Sequence, residues 1–164
     1  MKTTYEVRVE GIKFDAAHFA TYGGKCEPLH GHSYEVAAEV EGTLGDDSLV
    51  VNFIGLKAIL RDLSKELDHR FMLQAESRVL SIECTDTAWK VRTPTSIGYV
   101  LPKHDVIALP IDNTTAERLA EWFGGRLWQW LEARGASNVR VLTVEVWEGP
   151  GQRGSNRVER LPQA

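Results

Sequence analysis

The stretch Cys26-Glu27-Pro28-Leu29-His30-Gly31-His32-Ser33-Tyr34-Glu35-Val36-Ala37-Ala38-Glu39-Val40 decides the fold. From about His30 to Val40 it puts His32, Tyr34, Val36 and Ala38 at every second position, the period of a half-buried strand. Residues two apart on a strand project from the same face, so His30 and His32 point the same way, and Gly31 removes bulk from the other side. Upstream, Tyr5, Val7 and Val9 alternate with charged residues. Gly11 breaks that pattern, as a glycine at a bulge does, and Ile12, Phe14, Ala16 and His18 resume it in the other parity. Paired as neighbours, the two strands bring His18, His30 and His32 together. A lone strand histidine is usually structural, and a His-x-His pair favours a metal only modestly. A third histidine ending the adjacent strand raises the odds, because three histidines and one open position form the pattern of a catalytic zinc site.

Between those strands, residues 20–29 contain Gly23, Gly24 and Pro28 and read as a loop. Cys26 in this loop has three open readings: a fourth zinc ligand, a buried filler or a catalytic thiol. Zn²⁺, a neighbouring lysine or an imidazolium would lower its pKa. Cys84 has no such setting and reads as structural.

Further along, Asn52 is a good helix cap, and Phe53, Leu56, Leu60, Leu63 and Leu67 keep helical spacing behind it. Asp68 and His69 fall where that helix ends. A carboxylate beside an imidazole can fix its tautomer for proton transfer, although a solvated helix end also suits this pair. Thr114-Thr115-Ala116-Glu117 reads as a capping box starting a second helix at Thr114, with Leu119, Phe123, Leu127 and Trp130 as its stripe and Gly135 as its stop. Val139, Val141 and Thr143 begin a long strand that runs to Trp147 and Glu148, and Val158 marks one more short strand. Between the helices, Val79–Glu83, Trp89–Arg92 and Tyr99–Leu101 are short β-like runs, read as a β insertion at about 76–108 within one domain. The order implies an α+β fold: an antiparallel sheet with two helices on one face.

With 164 residues the chain is the size of one domain. A net charge of −4 without a Lys/Arg run disfavours nucleic acid, and no apolar stretch approaches a membrane span. Residues 1–10 lack the apolar block of a signal peptide. Two cysteines in unlike contexts suggest a reducing, cytoplasmic setting.

Phe14-x-Ala16-Ala17-His18 followed by Cys26-x-x-x-His30-Gly31-His32-x-Tyr34-x-Val36 closely resembles the 6-pyruvoyltetrahydropterin synthase family, which includes the 6-carboxytetrahydropterin synthases of queuosine biosynthesis. The resemblance continues through Asn52-Phe53-x-x-Leu56-Lys57, Leu67-Asp68-His69, Asn113-Thr114-Thr115-Ala116-Glu117-x-Leu119-Ala120 and Val146-Trp147-Glu148, covering most of the chain outside residues 76–108. It implies a T-fold, a four-stranded antiparallel sheet with two helices on one face. It also implies trimers or hexamers with active sites between subunits. Zn²⁺ would be held by His18, His30 and His32. Cys26 would be the base, with His69 oriented by Asp68 as its partner in proton transfer. Glu148 would anchor the pterin ring, with Thr114 and Thr115 near it. The implied substrate is 7,8-dihydroneopterin triphosphate and the implied product 6-carboxy-5,6,7,8-tetrahydropterin, with the 6-pyruvoyl product as the alternative. Two other outcomes are an aldolase-like cut of the side chain and a non-catalytic module binding zinc and pterin. Asn52 stands where the family usually has Asp, a change with little expected consequence. Some relatives use a glutamate in the glycine loop as base, which makes Glu27 a further candidate. His104 has no identifiable family counterpart and reads as a surface residue.

Overall fold

The structure, a computed structural model, describes residues 3–95 and 98–160. Met1 and Lys2, part of the stretch read as lacking a signal-peptide block, lie outside the described residues. The chain runs β1 (Tyr5–His18), β2 (Thr21–Tyr22), β3 (Lys25–Cys26), β4 (His30–Gly42), α1 (Phe53–Leu67), β5 (Arg70–Gln74), β6 (Ser81–Cys84), β7 (Ala88–Arg92), β8 (Gly98–Pro102), β9 (Val106–Leu109), α2 (Ala116–Glu132), β10 (Val139–Gly149) and β11 (Gln152–Glu159).

The two strands read from the histidine motif pair antiparallel, and their register sets His18 opposite His30 and Ala16 opposite His32. The pairing slips between Val9 and Ile12, around Gly11 at φ +76°. That single extra residue reverses the parity, so Val9 and Ile12 both reach the core. The presumed loop between them is folded: β2 and β3 form a hairpin whose Gly23 and Gly24 both take positive φ, the backbone that a two-residue turn between twisted strands requires.

The sheet is not the expected four-stranded antiparallel one. It has six strands in the order β11-β10-β4-β1-β5-β9, with β5 parallel to β1 and β9 parallel to β5. The two added strands read Phe71-Met72-Leu73 and Val106-Ile107-Ala108-Leu109, apolar runs without alternation. They lack it because both faces of β5 and most of β9, where Ala108 is exposed, are covered, as is usual for parallel strands. Met72 and Leu109 join the helix-side core, whereas Phe71, Leu73 and Val106 pack with Phe19, Leu80 and Val91 in a second core. Leu80 and Val91 come from the region of the β6-β7-β8 sheet, so the insertion covers the face that the helices leave open.

Both helices share the larger core. α1 buries Leu56, Leu60, Leu63 and Leu67 at 0–1% exposure, each contributing about 1.5–3 kcal/mol of apolar burial. Phe53, the first residue of the expected stripe, is exposed. Asn52 caps α1, its Oδ1 accepting from the amides of Ile54 and Gly55. α2 begins later than its motif suggests: Thr115 is the cap, and its hydroxyl accepts from the Arg118 amide. The Thr114–Glu117 capping box therefore does not form, which frees Thr114 for the interior and Glu117 for the cavity described below. Gly124 faces Asn156 of β11, where an added Cβ would lie 3.1 Å from Oδ1, so a close helix–strand approach accounts for this one of the two adjacent glycines of α2, Gly124 and Gly125. No helix among the described residues is long and apolar enough to cross a membrane.

Candidate metal centre and its cavity

β1 and β4 end together, and that places three imidazoles at one corner of the sheet. One ring nitrogen from each of His18, His30 and His32 lies within 4.8 Å of the others. The ring centroids are 4.7–5.2 Å apart. The remaining nitrogens face backbone carbonyls: His18 Nδ1 lies 3.0 Å from Thr114 O, His30 Nδ1 lies 2.8 Å from Pro28 O, and the His32 ring meets the carbonyl of Glu148. A histidine that donates one N–H to a carbonyl presents a lone pair on its other nitrogen, which is how protein metal ligands are oriented.

The free nitrogens fit a metal. His18 Nε2 is buried without a hydrogen-bond partner, and the Nε2 atoms of His30 and His32 face each other at 3.0 Å. A buried acceptor left unpaired costs about 1–3 kcal/mol, which a cation among these three atoms would remove. Burial first, then the neighbouring His30, pushes the His18 pKa down to about 4; burial also lowers that of His32. Both rings therefore favour the neutral form that ligates.

The triad opens into a cavity of about 630 Å³ that is also lined by Glu27, Asn113, Thr115, Glu117, Glu148 and Arg153. Burial, followed by the charges of Glu117 and Glu27, raises the pKa of the half-buried Glu148. Three carboxylates facing a trihistidine group suit a cation together with a ligand rich in N–H donors.

The other candidates sit apart. The Cys26 thiol does not line the cavity. It packs beside the Phe19–Phe71 core, its Sγ donating to Glu27 O at 3.4 Å, and burial, then the Glu27 charge, pushes its pKa up. Thr114 is fully buried behind His18 rather than on the cavity wall, while Thr115 lies on it. Asp68 and His69 stand together, Oδ2 to Nδ1 at 3.1 Å. His69 lines a separate depression of about 470 Å³ with Asp15, Gly31, Ser33 and Phe71, and His32 borders both spaces. The His69 backbone is left-handed at φ +58°, strained for a residue other than glycine and typical of positions held for function. His104 is an exposed surface residue beside Asp105. Cys84 is exposed as well, so its structural reading fails, and both cysteines are free.

Sequence reasoning missed Asn113, Glu117 and Arg153 as cavity residues. Glu117 was legible as an acid three residues after a threonine, but the capping register assigned it to the backbone.

The 6-pyruvoyl tetrahydropterin synthase family model matches residues 6–158. A Pyrococcus horikoshii protein is 34% identical over 145 residues, 84% of this chain and 81% of its own, and provisionally bears the name 6-carboxy-5,6,7,8-tetrahydropterin synthase. The Aquifex aeolicus protein of that name is 33% identical over 127 residues, 76% of this chain and 70% of its own. Dihydroneopterin monophosphate aldolase of Pyrococcus furiosus is 26% identical over 136 residues, 83% of each chain. Among solved structures, Plasmodium vivax 6-pyruvoyl tetrahydropterin synthase superposes with a TM-score of 0.88 at 30% identity, covering 97% of this chain and all of that one. A variant of that enzyme replaces a glutamate described as a catalytic residue by alanine.

Proposed function

Since the chain belongs to the 6-pyruvoyl tetrahydropterin synthase family, we propose that it is a zinc-dependent lyase converting 7,8-dihydroneopterin triphosphate to 6-carboxy-5,6,7,8-tetrahydropterin. The observation that carries this reading is the buried, unpartnered Nε2 of His18, turned toward two further imidazoles in a cavity lined by three carboxylates. His18, His30 and His32 would hold Zn²⁺, which when bound supplies a Lewis acid and a template for the side-chain hydroxyls of the substrate.

The residues of the chain do the rest. Glu148, with Thr115 beside it, accepts hydrogen bonds from the planar N–H edge of the pterin. Burial strengthens those bonds by excluding competing water. A base near the triad takes the side-chain proton. Cys26 is the first candidate, and in this reading binding turns its thiol from the apolar pocket toward the cavity. His69, held by Asp68, passes a proton on. Because His69 lines a different depression within one chain, it serves the triad of a neighbouring copy in a homo-oligomer with sites between subunits. The queuosine-precursor pathway and a cytoplasmic setting belong to the same proposal. The 6-pyruvoyl product is the close alternative on the same residues.

One observation favours a second reading. Glu27, not Cys26, lines the histidine cavity. A carboxylate base there suits an aldolase-type cut that leaves a one-carbon stub on the pterin and releases an aldehyde that keeps its phosphate.

The test is incubation of the Zn²⁺-loaded protein with 7,8-dihydroneopterin triphosphate, with products read by mass. Cys26→Ala and Glu27→Gln run in parallel. A 6-carboxy product plus acetaldehyde, lost in Cys26→Ala, supports the first reading. A one-carbon pterin product, lost in Glu27→Gln, supports the second. Unchanged substrate with stoichiometric zinc removes the lyase reading for this substrate and leaves a zinc- and pterin-binding module.

A further inference from the structure

Behind the histidine triad lies a buried polar chain that takes no part in the mechanism above. Gln74, the last residue of β5, is fully buried. Its Oε1 accepts from the Thr114 hydroxyl at 3.1 Å, and its Nε2 donates to Asn113 Oδ1 at 3.4 Å. The Thr114 hydroxyl lies 3.2 Å from His18 Nδ1, and Thr114 O accepts from the same nitrogen at 3.0 Å. Asn113 continues outward. Its Oδ1 accepts from the amides of Thr21 and Thr114, and its Nδ2 donates to Thr21 O at 2.7 Å. Thr21 pairs with Cys26 across the β2-β3 hairpin.

A glutamine with no exposure between two apolar cores is expensive unless every polar atom is used. Here each is spent on the segment that orients His18. With its proton directed to Gln74 Oε1 or Phe19 O, the Thr114 hydroxyl offers only a lone pair to His18. Two acceptors then face Nδ1, so Nδ1 carries the hydrogen and Nε2 carries the lone pair.

We propose that Gln74, acting through Thr114 and Asn113, is a positioning residue: it fixes the His18 tautomer and ties the triad to the hairpin bearing Cys26. The metal part of this inference rests on the zinc reading above; the tautomer part does not.

The experiment is ¹⁵N-imidazole NMR of the full-length, metal-stripped chain, followed by Zn²⁺ titration against a competing chelator, for wild type, Gln74→Met, Thr114→Val and Thr114→Ser. Wild type and Thr114→Ser are expected to show His18 protonated at Nδ1. Thr114→Val keeps the Thr114 O acceptor and loses the second one, so it is expected to show mainly Nδ1–H with a larger share of the Nε2-protonated tautomer than wild type. Zn²⁺ affinity is expected to fall by about 10- to 100-fold in Thr114→Val and about 10-fold in Gln74→Met, the usual range for partners of metal ligands, and to be kept in Thr114→Ser. With substrate, kcat of Gln74→Met falls more than KM rises. Lower melting temperatures with unchanged tautomer and affinity would mean that the chain is merely structural and would overturn the proposal. Wild type that takes up no Zn²⁺ would instead sink the zinc reading, and the tautomer measurement would then decide this one. If Gln74→Met does not fold, the Thr114→Val and Thr114→Ser pair decides it alone.

Discussion

Asp15 and Asp68, 53 positions apart, clasp each other. The Asp15 amide donates to Asp68 Oδ1 at 2.8 Å, and Asp15 O accepts from the amide of His69 at 2.7 Å. The clasp closes the end of α1 onto β1 and holds His69 in its left-handed conformation. The Asp15 amide, followed by His69, lowers the Asp68 pKa. A carboxylate depressed on folding stabilises the native state above its ordinary pKa of about 3.9, and the benefit fades as pH falls through the lowered value. Asp68→Asn is therefore expected to be less stable than wild type at neutral pH, with a smaller gap at a pH below that ordinary value. Because the side chain is 39% exposed, screening keeps the difference below about 1 kcal/mol. Urea melts at the two pH values measure it. A gap that widens on acidification would contradict the assignment.

Glu148→Gln is expected to separate stability from function. The pKa of Glu148 is raised by burial and by two like charges, so ionised Glu148 opposes folding at neutral pH. The amide should raise the melting temperature. Losing a charged acceptor for the pterin edge should raise KM by about 10- to 100-fold, the equivalent of about 1.5–3 kcal/mol. A KM that stays at the wild-type value would remove Glu148 from the pterin site.

Gly154 lies against the start of α2: an added Cβ would fall 2.4 Å from the amide nitrogen of Glu117 and 2.6 Å from the Ala116 carbonyl carbon. Backbone cannot step aside as a side chain does. Gly154→Ala should cost about 1–3 kcal/mol and, by shifting Thr115 and Glu117, weaken pterin binding. Chemical denaturation with a parallel binding isotherm tests both effects; a neutral result in each would show that α2 slides freely over β11.

Asn52→Ala should lose about 1 kcal/mol, because two amides of α1 give up their acceptor. Asn52→Asp should match or exceed wild type, since a carboxylate also favours the helix N-terminus. Thermal melts of the two variants settle the ordering.

How much was readable follows from which physical signals act locally. His18, His30 and His32 could be brought together because strand alternation and one bulge glycine fix direction and parity over a few residues. Asn52, Leu56, Leu60, Leu63 and Leu67 showed α1 for the same reason. β5 and β9 were missed because strands buried on both faces carry no alternation, and what buries their second face is the insertion, set by contacts distant in sequence. Thr114 and Glu117 were assigned to a cap because Thr-Thr offers two cap registers; the interior hydrogen bonds to Gln74 and Phe19 select the second. The sequence placed Cys26 near the triad, but not the direction of its thiol, which depends on how Phe19 and Phe71 pack.

β5 is joined to β1 through only two residue pairs, Ala16–Arg70 and Ala17–Phe71. This is the narrowest seam of the main sheet, and β9 is paired beyond it. Backbone amides along such a seam exchange with solvent through small openings, not through global unfolding. Gln74 sits on the far side of the seam and His18 on the near side, so each opening withdraws the support behind the triad. A cation held by the histidines would close the seam by mass action. Its presence would then be written into the deuterium uptake of β5 and β9, strands that carry none of the ligands.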